Sequence, residues 1–216
     1  MSERREAGTP PSSERGPSAP APLLPETLLD EAEIRKCVDR LAGEISADHP
    51  DGVVLVGVLK GASIFLADLA RAIRTVDVEV DFIAISRYAP DSGRVRILQD
   101  VTIELHGRDV VLVEDLVDTG LTLGYLVEHV RRQAPRRVEA CTLLDRPARR
   151  ILPMVVRYVG REIPDVFVLG YGLHRADLYR NVPRVVVADR EVVRARPDAY
   201  VPALYGTAGS DPGGRC

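Results

Sequence analysis

The chain has 216 residues, a formal net charge of −3 and 45% hydrophobic residues. That length suits one domain with a substantial core, and the slight acidity leaves no overall electrostatic footprint for nucleic acid. No apolar run approaches the roughly 20 residues of a membrane span, the N-terminus lacks the apolar centre of a signal peptide, and Cys37, Cys141 and Cys216 share no metal-ligand spacing, so the expectation is a cytoplasmic protein with reduced thiols.

Residues 1–28 are rich in Pro, Ser, Ala and charge, with almost no large apolar side chain before Leu23. They cannot bury enough surface to offset their ordering entropy, and are expected to be a disordered tail, as is 205–216. The folded domain is expected over 29–204. Asp30 is placed to cap a helix running to about Ile45, with Ile34, Val38, Leu41 and Ile45 at helical spacing. "GVVLVGVL" (52–59) is a continuous apolar run, as in a strand buried on both faces. "SIFLADLARAI" (63–73) reads as a helix, "VDVEVDFIAIS" (76–86) as a strand and "RVRILQD" (94–100) as its hairpin partner. "RDVVLVED" (108–115) is a strand and "GLTLGYLVEHVRRQ" (120–133) a helix whose basic end suits its dipole. "RVEACTLLD", "VFVLGYG" and "RVVVAD" supply further strands. Alternation of strand and helix predicts an α/β fold with a mainly parallel sheet and right-handed crossovers.

Chemistry concentrates in "VVLVEDLVDTGLTL" (110–123). In an open parallel sheet, ligands bind beyond the carboxyl ends of strands, and Glu114 and Asp115 sit at such an end. The following "DTGLT" offers backbone N–H groups and the hydroxyls of Thr119 and Thr122 as the chain enters a helix, which is an anion site. Gly120 lets the backbone approach the anion. Ionised carboxylates only accept hydrogen bonds, so Glu114 and Asp115 call for hydroxyl donors or a cation. A phosphorylated sugar meets both demands, with its phosphate in the amide cup and its 2- and 3-hydroxyls on the acids. Asp118 then falls on the anomeric side. Taken alone, an acidic pair at a strand end is as well explained by solvation or by helix capping. A P-loop is excluded because no GxxxxGK[ST] occurs, and neither "GVLKGAS" nor "GYGLHR" makes a dinucleotide-binding fingerprint.

The same stretch resembles the phosphoribosyl-pyrophosphate (PRPP) signature of type I phosphoribosyltransferases. Residues 30–190 resemble the hypoxanthine-guanine branch, through "VGVLKGASIFLADLAR", "LLDRPARR" and "YVGREIPDVFVLGYGLHRADLYRNVP" in order. The resemblance implies a twisted, mainly parallel sheet flanked by helices with a small hood, a homo-oligomer, and transfer of phosphoribose from PRPP to a purine base with Mg2+. It assigns Glu114 and Asp115 to the ribose diol, and to magnesium through that diol or water. Thr119, Gly120, Leu121 and Thr122 hold the 5-phosphate, and Asp118 is the general base near purine N7. Lys60 and Gly61 belong to the pyrophosphate loop, with Lys60 following Leu59 through a cis peptide, and Arg180 lies on the same side. Arg146, Phe167 and Val168 bind the base, Phe167 by stacking and Val168 through its backbone. Arg87 and Tyr88 begin a loop that closes over the site and excludes water.

Several positions depart from the family pattern. Arg146 stands where Lys is usual, and its planar fork is larger and permanently charged. Arg87 replaces Ser. "GLHR" replaces "GLDY", so His174 occupies the position of a carboxylate that holds a second magnesium. Imidazole is a poor substitute for a hard cation, and Asp177 is the nearby candidate. Arg175 and Arg161 replace aromatic residues. Three readings of these changes stay open: ordinary salvage of hypoxanthine or guanine, the same transfer to a modified purine-like base, or retained PRPP binding without efficient catalysis. A reading from another class is a PRPP-sensing regulator that binds nucleic acid through Arg146, Arg149, Arg150, Arg157 and Arg161.

Overall fold

The protein is described by a computed structural model, over residues 24–86 and 96–205. In chain order its elements are β1 (Glu26–Leu29), α1 (Glu31–Asp48), β2 (Val53–Leu59), α2 (Ser63–Ala72), β3 (Val78–Ser86), β4 (Arg96–Gln99), β5 (Asp109–Val117), α3 (Leu121–Arg131), β6 (Arg137–Asp145), β7 (Tyr158–Glu162), β8 (Phe167–Leu169), β9 (Val185–Ala188), α4 (Arg190–Ala195) and α5 (Val201–Tyr205). The main sheet has the order β4-β3-β2-β5-β6-β7. All neighbours in it are parallel except the β3–β4 pair. The expected α/β architecture, hairpin included, is therefore present.

The apolar runs explain where the sheet lies. β2 and β5 are central, with Val54, Leu55, Val56, Val110, Val111, Leu112 and Val113 all fully buried. Alternate side chains enter opposite cores, Leu55 and Val111 on the α1/α2 face, Val56 and Leu112 on the α3 face. α1 begins at a capping box, Asp30 Oδ1 accepting from the Glu33 N–H at 2.7 Å and Glu33 Oε2 from the Asp30 N–H at 3.0 Å. Such a box satisfies two of the helix's orphan donors. Its stripe Ile34, Val38, Leu41, Ala42 and Ile45 is buried; Leu41 and Ile45 are fully enclosed, and each contributes about 1.5–3 kcal/mol by leaving water.

Two strands went unanticipated, β1 and β7, whereas the small hood is the one the resemblance implied. β1 pairs antiparallel with β9, so residues 26–28, expected in the tail, are strand, and the domain starts sooner than position 29. The cause is tertiary: "ETLL" has little strand signal of its own and is completed by a partner more than 150 residues away. β7 extends the sheet beside β6. β1, β9 and β8 form a separate antiparallel sheet, the hood, whose core of Leu169, Tyr179, Val182, Val186, Val193 and Tyr200 is closed by α4 and the chain after it. Tyr179 donates to the Pro197 carbonyl at 2.7 Å, and the Asp189 N–H donates to the Tyr200 hydroxyl at 3.0 Å. Asp189 also caps α4, accepting from the N–H groups of Glu191 and Val192. These bonds fix α4 against the mouth of the cavity described next. The two expected tails fall mainly outside the described residues.

Candidate active site

The carboxyl ends of β2 and β5 and the hood enclose a cavity of about 1020 Å³. Every site residue expected from sequence within the described residues lines it: Lys60, Gly61, Glu114, Asp115, Asp118, Thr119, Gly120, Leu121, Thr122, Arg146, Phe167, Val168, Asp177 and Arg180. Arg87 and Tyr88 lie outside the described residues.

Glu114 and Asp115 are buried at the end of β5. Asp115 Oδ1 accepts from the Leu116 N–H at 2.8 Å, which fixes the carboxylate. The chain then turns into α3 with Gly120 at its N-cap in the left-handed region, φ 81°. Amides of the first turn have no intrahelical acceptor and carry partial positive charge. An anion cup thus stands directly beyond two buried acids.

The opposite wall is the turn after β2, where the Leu59–Lys60 peptide is cis, as the resemblance implied. Here three loops converge too closely for side chains. A Cβ on Gly61 would lie 1.9 Å from Asp115 Oδ2, and one on Gly172 would lie 2.2 Å from the Gly61 carbonyl oxygen. The hood is therefore pressed onto this turn, bringing Asp177 to Lys60. Lys60 Nζ is 3.8 Å from Asp177 Oδ2, and Arg180 Nη2 donates to Asp177 Oδ1 at 2.8 Å. Arg180 also donates to the Gly172 carbonyl at 2.6 Å. The Arg180 hydrogen bond, with Lys60 beside it, holds the Asp177 carboxyl below its ordinary range.

At the third wall, Arg146 follows β6 and is buried, its N–H bonded to the Val117 carbonyl at 2.9 Å. Its Nη1 is 3.5 Å from Asp118 Oδ2, while Arg149 Nε is 3.6 Å from Asp118 Oδ1. Burial lowers the pKa of the Arg146 guanidinium, and the Asp118 carboxylate opposes that shift. Asp118 Oδ1 and Arg146 Nε have no hydrogen-bond partner among the described residues. Buried polar atoms of this kind are costly unless a ligand supplies the partner. Phe167 opens from β8 with the Arg190 guanidinium 5.7 Å from its ring centroid, and Val168 is buried beside it.

Sequence reasoning missed Arg149, Leu173, Arg190, Val193 and Arg194 as cavity residues. "VADREVV" carried a signal for the last three, since Asp189 ahead of Arg190 is a helix cap. The arginines considered as a nucleic-acid surface are dispersed instead. Arg146 and Arg149 face the cavity, Arg150 pairs with Asp145, Arg157 with Asp48 at 2.7 Å, and Arg161 with Glu33 at 3.5 Å. Arg146 and Arg149 share Asp118, and the other three pair with three different acids, so these five do not act as one unpaired basic cluster.

Among the described residues no group of three His, Cys, Asp or Glu side chains is disposed to hold a metal. The donor set does suit a magnesium ion that arrives with a substrate, since Mg2+ retains water and commonly takes one or two carboxylates plus phosphate oxygens. Glu114 and Asp115 are the cavity carboxylates that could take that role. Among the described residues no helix is long and apolar enough to cross a membrane.

The chain matches a phosphoribosyl transferase domain over residues 26–175. It is 42% identical to the hypoxanthine-guanine phosphoribosyltransferase of Bacillus subtilis over 168 residues, spanning 76% of this chain and 93% of that one. A crystal structure of a hypoxanthine-guanine phosphoribosyltransferase from Bacillus anthracis superimposes with a TM-score of 0.73 at 38% identity, covering 77% of this chain and 100% of the other. The hypoxanthine phosphoribosyltransferase of Trypanosoma cruzi, solved in complex with the product IMP, also gives 0.73 at 38% identity, covering 77% and 95%. Motif order, sheet topology and overall similarity agree, and the chain belongs to the phosphoribosyltransferase family, in its hypoxanthine-guanine branch.

Proposed function

We propose that the protein transfers the 5-phosphoribosyl group of PRPP to a purine base of the hypoxanthine or guanine type, giving a nucleoside 5-monophosphate and pyrophosphate. The observation that carries this reading is the pair Glu114–Asp115, buried at the foot of the Gly120 amide cup and sharing one cavity with Phe167 and Arg146. Each part of the substrates finds a complementary group there. The ribose 2- and 3-hydroxyls donate to Glu114 and Asp115, and the 5-phosphate takes the amides and hydroxyls of Thr119–Thr122. The purine stacks on Phe167, its edge is read by the Val168 backbone, and its 6-oxygen accepts from Arg146. Pyrophosphate lies toward Lys60, Gly61 and Arg180.

In the reaction the bond from sugar C1 to the pyrophosphate oxygen breaks, its electron pair leaving with that oxygen. The purine nitrogen forms the new bond, and the proton the base gives up passes to Asp118. As positive charge develops on the sugar, the same carboxylate stabilises it. Glu114 and Asp115 would hold a magnesium ion together with the ribose diol, and that ion would supply charge neutralisation for the pyrophosphate. The resemblance assigns the closing-loop role to Arg87 and Tyr88, which lie outside the described residues. PRPP is a highly charged, freely diffusing metabolite, so the reaction belongs to the cytoplasm, and a homo-oligomer is the assembly expected.

The test is a panel of hypoxanthine, guanine, xanthine and adenine, each incubated with PRPP and magnesium and analysed chromatographically. IMP or GMP, formed one-for-one with pyrophosphate, is the expected outcome. No nucleotide from any base would contradict the reading.

A further inference from the structure

The pyrophosphate end of the cavity has a donor set unlike that of a metal site. His174 lines the cavity, and its Nδ1 accepts the Asp177 N–H at 3.1 Å. Ala176 and Asp177 are both left-handed, φ 49° and 60°, and this tight turn aims the amide back at the ring. A nitrogen that accepts a hydrogen bond carries its lone pair there, so the ring proton resides on Nε2. With that tautomer His174 presents a donor toward the cavity, which suits an anion better than a hard cation.

The other candidate ligand is already engaged. The Asp177 carboxylate lies between Arg180 Nη2 at 2.8 Å and Lys60 Nζ at 3.8 Å. Magnesium asks for oxygen ligands in octahedral geometry, and beyond Asp177 this wall offers Lys60, His174, Arg175 and Arg180, all of them donors. Arg175 is held in place by Nε, which donates to the Val193 carbonyl at 3.3 Å. The residues do not fit the second magnesium that the family pattern places here.

We propose that this chain holds the leaving pyrophosphate with His174 Nε2–H, Lys60 and Arg175 in place of a second magnesium ion, so that PRPP binds with a single divalent ion. The inference rests on the transferase reading and specifies how its leaving group is handled. His174 donates a hydrogen bond to a pyrophosphate oxygen and transfers no proton. Fixed side-chain charge neutralises the departing anion, and the energetic demand on free magnesium falls accordingly.

Electron paramagnetic resonance with Mn2+ counts the ions bound per site at saturating PRPP, without base. One ion is expected for the wild type and two for His174→Asp. In a second measurement, inorganic pyrophosphate is titrated in chelator-treated buffer. His174→Leu should bind it about tenfold more weakly than the wild type, and His174→Gln, which retains a donor, within about threefold. Two Mn2+ ions per wild-type site, or undiminished pyrophosphate affinity in His174→Leu, would overturn the proposal. Failure of PRPP to bind with any metal would instead overturn the transferase reading beneath it.

Discussion

Asp118 Oδ2 stands 3.5 Å from Nη1 of the buried Arg146, joining the end of the β5 loop to the residue that follows β6. The group proposed to take the purine's proton and the group proposed to read its 6-oxygen thus share one electrostatic environment. The Asp118 oxygen left without a donor is the natural acceptor for a purine N–H. Asp118→Asn keeps the shape and removes the base. Turnover is expected to fall about 10²–10³-fold, while the PRPP dissociation constant changes by less than about threefold. Single-turnover kinetics beside calorimetry separates the two. A collapse of PRPP binding with unchanged turnover per bound complex would make Asp118 a binding residue.

Gly61 touches Asp115, where a Cβ would sit 1.9 Å from Oδ2. Gly61→Ala must push either the turn after β2 or the Asp115 carboxylate, the group proposed to bind the diol, out of place. Overpacking of this kind costs about 1–3 kcal/mol, so PRPP affinity should drop by about tenfold. Thermal unfolding should move little by comparison, because the displaced groups face a cavity.

These relationships divide into what the sequence could carry and what it could not. Long apolar runs made β2 and β5 legible, and the acids and small residues after Val113 made the candidate site's position legible, because both signals are local. β1 and β7 were not, since "ETLL" and "YVGRE" gain their strand character from neighbours distant in the chain. Arg190 was hidden for a related reason. Its place over Phe167 depends on the Asp189 cap and on the Tyr179 and Tyr200 hydrogen bonds that fold the hood's end back onto the site. The pairing of Arg146 with Asp118 arises between successive strand ends, which no spacing within either motif encodes.

Arg190→Ala removes the cation over Phe167 and leaves the acidic pair and the amide cup untouched. KM for the purine is expected to rise about threefold, with PRPP affinity unchanged. Steady-state kinetics at saturating PRPP measures this. Equal losses for both substrates would place Arg190 in the fold of the hood and not at the base.

At the opposite end of the sheet, Asp109 is buried between Arg136 Nε at 2.7 Å and His49 Nδ1 at 2.8 Å. The hydrogen bond from Arg136, opposed by burial and supported by His49, lowers its carboxyl from 3.8 to about 2. A depressed carboxyl stabilises the fold fully above its unfolded value, and the contribution is lost as pH falls from about 4 through about 2. Asp109→Asn should therefore cost on the order of 2 kcal/mol at neutral pH, and denaturant midpoints of the two proteins should converge toward pH 2. A constant difference across that range would remove the carboxylate's charge from the explanation.

The account depends most on the grip of Glu114 and Asp115 on a sugar diol. Calorimetric titration with IMP and with its 2′,3′-dideoxy counterpart tests that grip with the phosphate and base held constant. Loss of both hydroxyls is expected to weaken binding by about tenfold or more, since each donates to a charged acceptor. Equal affinity for the two nucleotides would contradict the assignment of the acidic pair, and with it the proposed placement of PRPP.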